Sequence, residues 1–272
     1  MRINTNVAAI NTRRNLYNST VDFQKSMEKL ASGLRINRAA DDAAGLAISE
    51  GMKSDIRALE QASRNASDGV SLVQTAEGAL DEVSNILLRM KELSEQSLGG
   101  TLSSAQQGYL DSEFTELKNE ITRISDGTEF NGISLLDGSL DVDVQVGVDT
   151  AATSAINIAL ATDMDATGLA LDAVDITDAT NAAAALTAVD AAIATVSQSR
   201  STFGAKQNRL ESSIRNINNQ AENLSAANSR IRDVDVAAET SKMTSYQILQ
   251  QAGVSVLAQA NMTTGLALSL LG

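Results

Sequence analysis

One repeat of apolar side chains limits the folds that are open to this chain. From Met52 to Met90, apolar or small residues recur in steps of three and four, and one serine fills the single gap. That spacing is typical of the packing stripe of a coiled-coil helix. Asp41 or Asp42 is placed to cap its start, and Gly99-Gly100 ends it, so we predict a helix from about 43 to 98 that is roughly 80 Å long.

Two further stripes keep the same period. Ser103 and Gln106 form the pattern of a capping box at the start of the second, which ends at Asp126-Gly127, and the third runs from Leu186 to Val234. Proline is absent, whereas average usage would give about 14 in a chain of this length. We therefore predict a mainly α fold, in which long antiparallel helices pack as a rod or coiled-coil bundle.

Between the second and third stripes the period changes to two. Apolar residues alternate with Asp141, Asp143, Gln145 and Gly147, and the alternation returns at 156–160. This pattern predicts a small half-buried β-hairpin, inside a β excursion that extends to about residue 175. The predicted segments are a terminal helix with its linker (1–42), the first part of the helical rod (43–130), the hairpin segment (131–178), the returning rod helix (179–234) and a second terminal helix (235–272).

The two ends of the chain carry matching stripes, which predicts that they pair as antiparallel helices. No charged side chain occurs from Met243 to Gly272, yet too many Gln, Asn, Ser and Thr residues interrupt this stretch for a membrane span. One partner stripe cannot cover every face of such a helix, so we expect other molecules to bury the rest. We predict that this end assembles with further copies, and that an unclosed repeat of the contact gives a helical filament. The predicted self-assembly residues are Ile3, Val7, Ile10, Tyr17, Val21, Met27, Leu30, Met243, Tyr246, Leu249, Val256, Leu266 and Leu270.

Composition excludes several kinds of chemistry. The chain has no His and no Cys, which removes imidazole bases, thiolate nucleophiles and nearly every transition-metal site, and we expect no cofactor. Between Ile124 and Ser199 there are twelve acidic residues and no Lys or Arg, so this segment carries −12 of the net −13. The acidic run 141–147 does not match a calcium loop, because an EF-hand needs Gly at its sixth position and Glu at its twelfth.

The first forty residues have a net charge of +5. They lack interleaved aromatic residues and any DNA-binding motif, so intersubunit salt bridges or a polar helix face are favoured over nucleic-acid binding. Asp41-Asp42 could act as a carboxylate pair, but helix capping explains both acids.

The segment from Ser32 to Ile48 resembles the N-terminal signature of bacterial flagellin. Four further segments, at 130–132, 144–147, 203–210 and 268–271, resemble the same family in order and spacing, so that the likeness covers essentially the whole chain. The resemblance implies a structural subunit that polymerises into the flagellar filament for swimming, with paired terminal helices lining a central channel. It also implies extracellular localisation after unfolded export through the flagellar type III apparatus, which agrees with the lack of a signal peptide at the start of the sequence.

The partners that the resemblance implies are the chain itself, an export chaperone, the filament cap protein and the hook–filament junction protein. Toll-like receptor 5 is a further implied partner, because the segment 86–93 is similar to the stretch by which many flagellins engage it. The receptor-binding residues would be Arg89, Leu93 and Glu113.

Other functions remain open at this point. A hook–filament junction protein shares the terminal helices, although the matches around Asp41 and Phe130 favour a flagellin. A carboxylate hydrolase built on the acidic hairpin is the enzymatic alternative, but the insert is too short for a pocket of typical volume. We therefore predict that the chain is not an enzyme.

Overall fold

A computed structural model describes residues 5–149 and 152–269, with side chains as far as Met262 in the last helix. Its elements are mostly long helices. They are α1 (Val7–Ser32), α2 (Ala43–Leu98), α3 (Ser104–Gly127), β1 (Glu129–Phe130), β2 (Ile133–Ser134), β3 (Asp141–Gln145), β4 (Ala155–Ala159), α4 (Ala179–Arg232) and α5 (Val236–Ser269). The chain forms two compact units, of which the first contains 1–54 and 223–272 and the second contains 55–222.

In the second unit, α2 and α4 run antiparallel in one constant register. Three side-chain pairs join them: Ser63 to Asn218 at 3.4 Å, Asp81 to Arg200 at 2.9 Å, and Lys91 to Asp190 at 2.6 Å. From each pair to the next, the step forward along α2 equals the step backward along α4. The prediction of a mainly α fold of antiparallel helices is therefore confirmed.

The core of this unit is the apolar stripe that the sequence predicts. The α2 positions Val73, Ala76, Leu80, Val83 and Leu87 are fully buried, and they recur in steps of three and four. On α4 the buried face begins earlier than the predicted stripe, because three alanines contribute to it. These alanines and the other buried α4 residues of the core are Ala182, Ala185, Val189, Ala192, Val196, Phe203 and Leu210.

The helix starts follow the predicted capping chemistry. Asp42 caps α2 by accepting a hydrogen bond from the Gly45 N–H at 2.9 Å. Asp41 instead holds the preceding loop, where its carboxylate accepts from the backbone N–H groups of Arg38 and Asn37, and the Arg38 bond lowers the pKa of Asp41 most strongly. Ser103 and Gln106 form the capping box of α3.

The predicted hairpin is present as β3 and β4, which pair antiparallel with Val144 opposite Ile156. A second hairpin, β1–β2, was not predicted, although Asn131-Gly132 gave its signal. Both residues have positive φ, 51° and 77°, as a type I′ turn requires.

The predicted β excursion to residue 175 is wrong beyond Ala159. The segment 160–178 contains turns rather than strands, and its apolar residues Met164, Leu171 and Ile176 are fully buried. Burial on one side of an irregular segment does not require the alternation of a strand.

One helix within the described ranges, α4, is long and apolar enough to pass a composition test for a membrane span, with a mean hydropathy of 1.3 over 18 residues. Its buried residues recur every three, four or seven positions and belong to the core of the second unit. This placement is that of a core helix, and its many alanines account for its high mean hydropathy.

Candidate interaction surfaces

Helices α1 and α5 lie antiparallel, and we call them the terminal pair. Their shared face is small and polar. The Asn6 side chain donates to the Ala260 carbonyl at 2.9 Å, and the Gln250 amide donates to the Thr20 hydroxyl at 3.3 Å. Leu16 packs where Gly253 leaves room, since a Cβ on that glycine would lie 3.2 Å from Leu16 Cδ1. The expected pairing of the chain ends is therefore present, through small and polar contacts.

The apolar stripe predicted for this pairing on α1 mostly faces solvent. The exposed fractions are 56% for Val7, 49% for Ile10, 69% for Tyr17 and 51% for Met27. The expectation that these four residues line the seam with α5 is therefore wrong, because Asn6, Leu16 and Thr20 occupy it instead. Val21 and Leu30 are half-buried, and Ile3 lies outside the described residues.

The predicted stripe on α5 divides between the seam and the surface. Met243 and Tyr246 are half-buried, whereas Leu249 and Val256 are 53% and 54% exposed. Three more large apolar side chains, those of Ile248, Val254 and Met262, are also exposed on this helix. The side chain of Leu266 and the whole of Leu270 lie outside the described part of the chain.

A single acidic side chain, Glu239, is buried where α5 begins to pair with α1. Burial by itself would raise the pKa of Glu239. A hydrogen bond from Ser26 and the ammonium groups of Lys242 and Lys29 outweigh that effect, and the pKa lies below its usual value. The carboxylate is thus held in its charged form inside the seam.

Two of the basic residues near the start of the chain form contacts within it. Arg38 forms two hydrogen bonds with the Glu28 carboxylate, at 2.9 and 2.8 Å. Arg35 binds the carbonyl of Ile231. Both contacts lie within the chain, so the predicted intersubunit salt bridges stay a prediction.

On the second unit, Arg89 lies between two carboxylates on the exposed side of α2 and α3. Its guanidinium contacts Glu113 at 2.9 Å and Glu92 at 2.9 Å. Hydrogen bonds to Glu92 and then to Glu113 raise the pKa of Arg89. Two predicted receptor-binding residues, Arg89 and Glu113, are therefore adjacent and accessible.

The third predicted receptor contact, Leu93, is not accessible. Its side chain is 0% exposed and belongs to the hydrophobic core. Leu93 therefore cannot form part of the surface that a receptor would touch on this folded chain, and its role here is packing beneath Arg89.

The acidic hairpin borders a groove of about 580 Å³, formed with α2 and the β1–β2 turn. The groove is an open surface feature that the hairpin shares with α2, so the expectation that the insert is too short for a pocket of its own stays a prediction. Asp68 and Asp143 line the groove with the amides of Asn65, Asn131 and Gln145. Among residues 5–149 and 152–269, no three acidic side chains cluster closely enough to hold a metal ion.

The sequence matches two family models over most of its length. Residues 3–141 match the bacterial flagellin N-terminal helical region, and residues 186–271 match the bacterial flagellin C-terminal helical region. The chain is 52% identical over 272 residues to a flagellin from Halalkalibacterium halodurans, covering 100% of both chains. It is 41% identical to the flagellar filament 33 kDa core protein of Treponema phagedenis, again covering 100% of both.

A solved structure is similar as well. The crystal structure of Bacillus cereus flagellin shares 34% identity with a TM-score of 0.51, covering 61% of this chain and 94% of that one. The likeness in sequence therefore extends across both units of the chain, whereas the likeness in fold covers 61% of it.

Proposed function

This chain belongs to the bacterial flagellin family, and we propose that it polymerises through the apolar faces that the terminal pair leaves exposed. The names of its relatives support the function of a filament subunit. The observation that carries the proposed surface is the outward position of large apolar side chains on both α1 and α5.

The solvent-facing residues of the terminal pair form an unusual surface for a monomer. Among the described residues, four large apolar side chains on α1 and six on α5 are about half exposed or more, namely Val7, Ile10, Tyr17, Met27, Val236, Ile248, Leu249, Val254, Val256 and Met262. Contiguous apolar patches beyond a few hundred Å² are rare on soluble monomers and are typical of association sites. The thirty residues from 243 carry no charge, so nothing there opposes burial by a neighbour.

The experiment is seeded polymerisation of the purified chain with Val256→Asp. A carboxylate on this face would have to be buried unpaired in the polymer, which costs several kcal/mol. We expect no filament growth by light scattering and negative-stain microscopy. Ser241→Asp is the matched control, because Ser241 is exposed on the same helix before the uncharged stretch begins. Normal growth of Val256→Asp would overturn the proposed surface.

We also propose the family's route of export and assembly: unfolded passage through the flagellar type III apparatus, without a cleaved signal, assisted by an export chaperone, the hook–filament junction protein and the cap protein. The composition suits a chain that must refold outside the cell. Without proline it has no slow cis/trans step, and without cysteine it cannot form wrong disulfides. Intact-mass measurement of the filament protein tests the absence of cleavage, since loss of more than the initiating methionine would contradict it.

We assign the chain no catalytic role. This assignment is supported by the structural names of the relatives. Hydrolysis of a glycan or peptide substrate that depends on Asp143 would contradict this assignment.

Recognition by Toll-like receptor 5 is a second candidate function, favoured by the accessible ion pair of Arg89 with Glu113. Exposed apolar groups flank it, since Leu88 precedes Arg89 and Tyr109 lies one turn before Glu113 on α3. We propose Arg89 as the central contact and leave Leu93 out. An Arg89→Ala monomer should lose signalling on receptor-bearing cells, with Arg123→Ala as the control. An unchanged response would leave Arg89 with a packing role only.

A further inference from the structure

The loop after α1 is fastened to the loop before α5. The Arg35 N–H donates to the Arg232 carbonyl at 2.6 Å, and the Val234 N–H donates to the Gly33 carbonyl at 3.0 Å. Leu34 and Asp233 thereby form an isolated antiparallel bridge. We call these two stretches, 33–36 and 231–234, the clasp.

The side chain of Arg35 adds the cationic part of the clasp. Its guanidinium donates two hydrogen bonds to the Ile231 carbonyl, from Nε at 3.1 Å and from Nη2 at 2.6 Å. Ile231 lies in the last turn of α4, where carbonyl groups have no partner within the helix and the helix dipole is negative. Arg35 therefore caps the C-terminus of a helix that is almost two hundred residues away in sequence.

Neighbouring contacts hold both sides of the clasp. The Arg232 side chain forms an ion pair with Glu50 on α2. Ile36, which follows Arg35, is 2% exposed and packs where Gly45 leaves room, since a Cβ on Gly45 would lie 2.8 Å from it. The clasp is thus anchored to a buried side chain and does not hang free in solvent.

The seam of the terminal pair does not determine its own register. Small or polar side chains form its hydrogen bonds, and its apolar residues, among them Val21, Met243 and Tyr246, are only half-buried; within the described residues neither helix has a buried apolar side chain. The Asn6 side chain donates to a backbone carbonyl, and every residue of α5 carries a backbone carbonyl. A shift of α5 by one turn would therefore still offer Asn6 an acceptor. Specific side-chain interlocks are what normally fix helix register, and this seam has few of them.

We propose that Arg35, through the clasp, is the positioning residue that sets the register of α1 against α5. The clasp joins the residues just after α1 to those just before α5, as a tight turn joins two strands, so it fixes where the antiparallel pairing starts. This inference deepens the proposed function, because the register decides which apolar side chains stand together on the outer face of the terminal pair.

Cysteine cross-linking tests the register directly, since the chain has no cysteine of its own. A Cβ on Gly253 would lie 3.6 Å from Leu16 Cβ, within the range of disulfides. The pair Leu16→Cys with Gly253→Cys therefore reports the native register. Leu16→Cys with Leu257→Cys, one turn further along α5, reports a slipped one. Yields are measured on dilute monomer, with mass to confirm an intramolecular bond.

Adding Arg35→Ala should lower the ratio of native to slipped cross-link by about fivefold, the effect of losing a charge at a helix C-terminus. Arg35→Lys, which keeps the charge but not both hydrogen bonds, should give an intermediate ratio. Arg38→Ala is the matched control, because Arg38 contacts Glu28 of α1 and not α4 or α5. Glu239→Gln tests whether the buried carboxylate of the seam, rather than the clasp, sets the register. We expect this variant to leave the ratio unchanged.

An unchanged ratio in Arg35→Ala overturns the proposal. If Arg35→Ala melts α5 and both cross-links are lost, the Arg35→Lys variant decides the question. A cross-link ratio in Arg35→Lys equal to that of the parent chain overturns the proposal. Polymerisation is measured separately on the chain without cysteines. If the chain without cysteines fails to polymerise although its cross-linking counterpart shows the native register, the proposed surface alone is refuted. If Arg35→Ala forms normal filaments and leaves the cross-link ratio unchanged, the clasp proposal alone is refuted.

Discussion

The terminal pair and the second unit use apolar side chains in opposite ways. In the second unit, leucine, valine and phenylalanine lie inside, and charged pairs such as Asp81 with Arg200 lie at the surface. In the terminal pair, no apolar side chain among the described residues is fully buried, and Val7, Tyr17 and Val256 face outward. The second unit therefore completes its core within one chain, whereas the terminal pair needs neighbouring molecules to cover its apolar faces.

The difference also concerns what fixes the register. Bulky side chains recurring in steps of three and four interlock α2 with its neighbours, so a shift by one turn would break many contacts. The apolar residues of the terminal pair are at most half-buried, so its interlock is weaker, and the clasp around Arg35 is the device that we propose in its place.

Deletion of residues 243–272 should have the largest effect. It should abolish assembly and leave the stability of the second unit unchanged. We expect a monomer that forms no filament under any seeding condition, while the melting of the second unit stays within about 1 °C, because no core residue of that unit is removed. Scattering and calorimetry measure the two quantities. Filaments from the truncated chain would mean that both units contribute equally to assembly.

Leu87→Ala should destabilise the second unit by about 2–5 kcal/mol, the cost of a cavity at a fully buried leucine. Leu249→Ala, at an exposed position of α5, should change the unfolding free energy of the monomer by less than about 0.5 kcal/mol and still slow polymerisation. Denaturant titration and seeded growth give both values. Equal destabilisation by the two variants would remove the contrast between the regions.

Acidification should loosen the terminal pair. The pKa of Glu239 is lowered in the folded chain, so its carboxylate contributes stability above the unfolded value of about 4.3, and this contribution is lost as the pH falls through the folded value. Hydrogen exchange of α5 between pH 6 and 3 measures it. Glu239→Gln should abolish this part of the pH dependence, and a wild-type slope in that variant would assign it to other groups.

Asp81→Asn should have the smallest effect. The ion pair of Asp81 with Arg200 is at the surface, and such pairs contribute about 0–1 kcal/mol. We expect a small loss in unfolding free energy that shrinks further in salt. A loss above 2 kcal/mol would show that the register of α2 and α4 depends on polar pairs, as we propose for the terminal pair.

Particular residues show how far sequence reasoning reaches. The stripe from Met52 to Met90, with a capping aspartate before it and Gly99-Gly100 after it, predicted a helix from about 43 to 98, and α2 spans Ala43–Leu98. Burial along one face of a long helix forces a period that is visible in the sequence. The β1–β2 hairpin was missed even though Asn131-Gly132 signalled it, because each of its strands has only two residues. The alanines of α4 were missed for a related reason: a small side chain gives no periodic signal, although it allows close packing.

The sequence by itself determined the helices, their caps, the β3–β4 hairpin and the uncharged end of the chain. These depend on neighbours a few residues apart or on composition. Only the tertiary structure decided that Leu93 is buried beneath Arg89, that Arg35 caps α4, and that Val7 and Tyr17 face away from α5. Each of those depends on which face of a helix meets another segment. An apolar stripe shows that a face will be covered, but the pattern is the same whether the cover comes from the same chain or from the next.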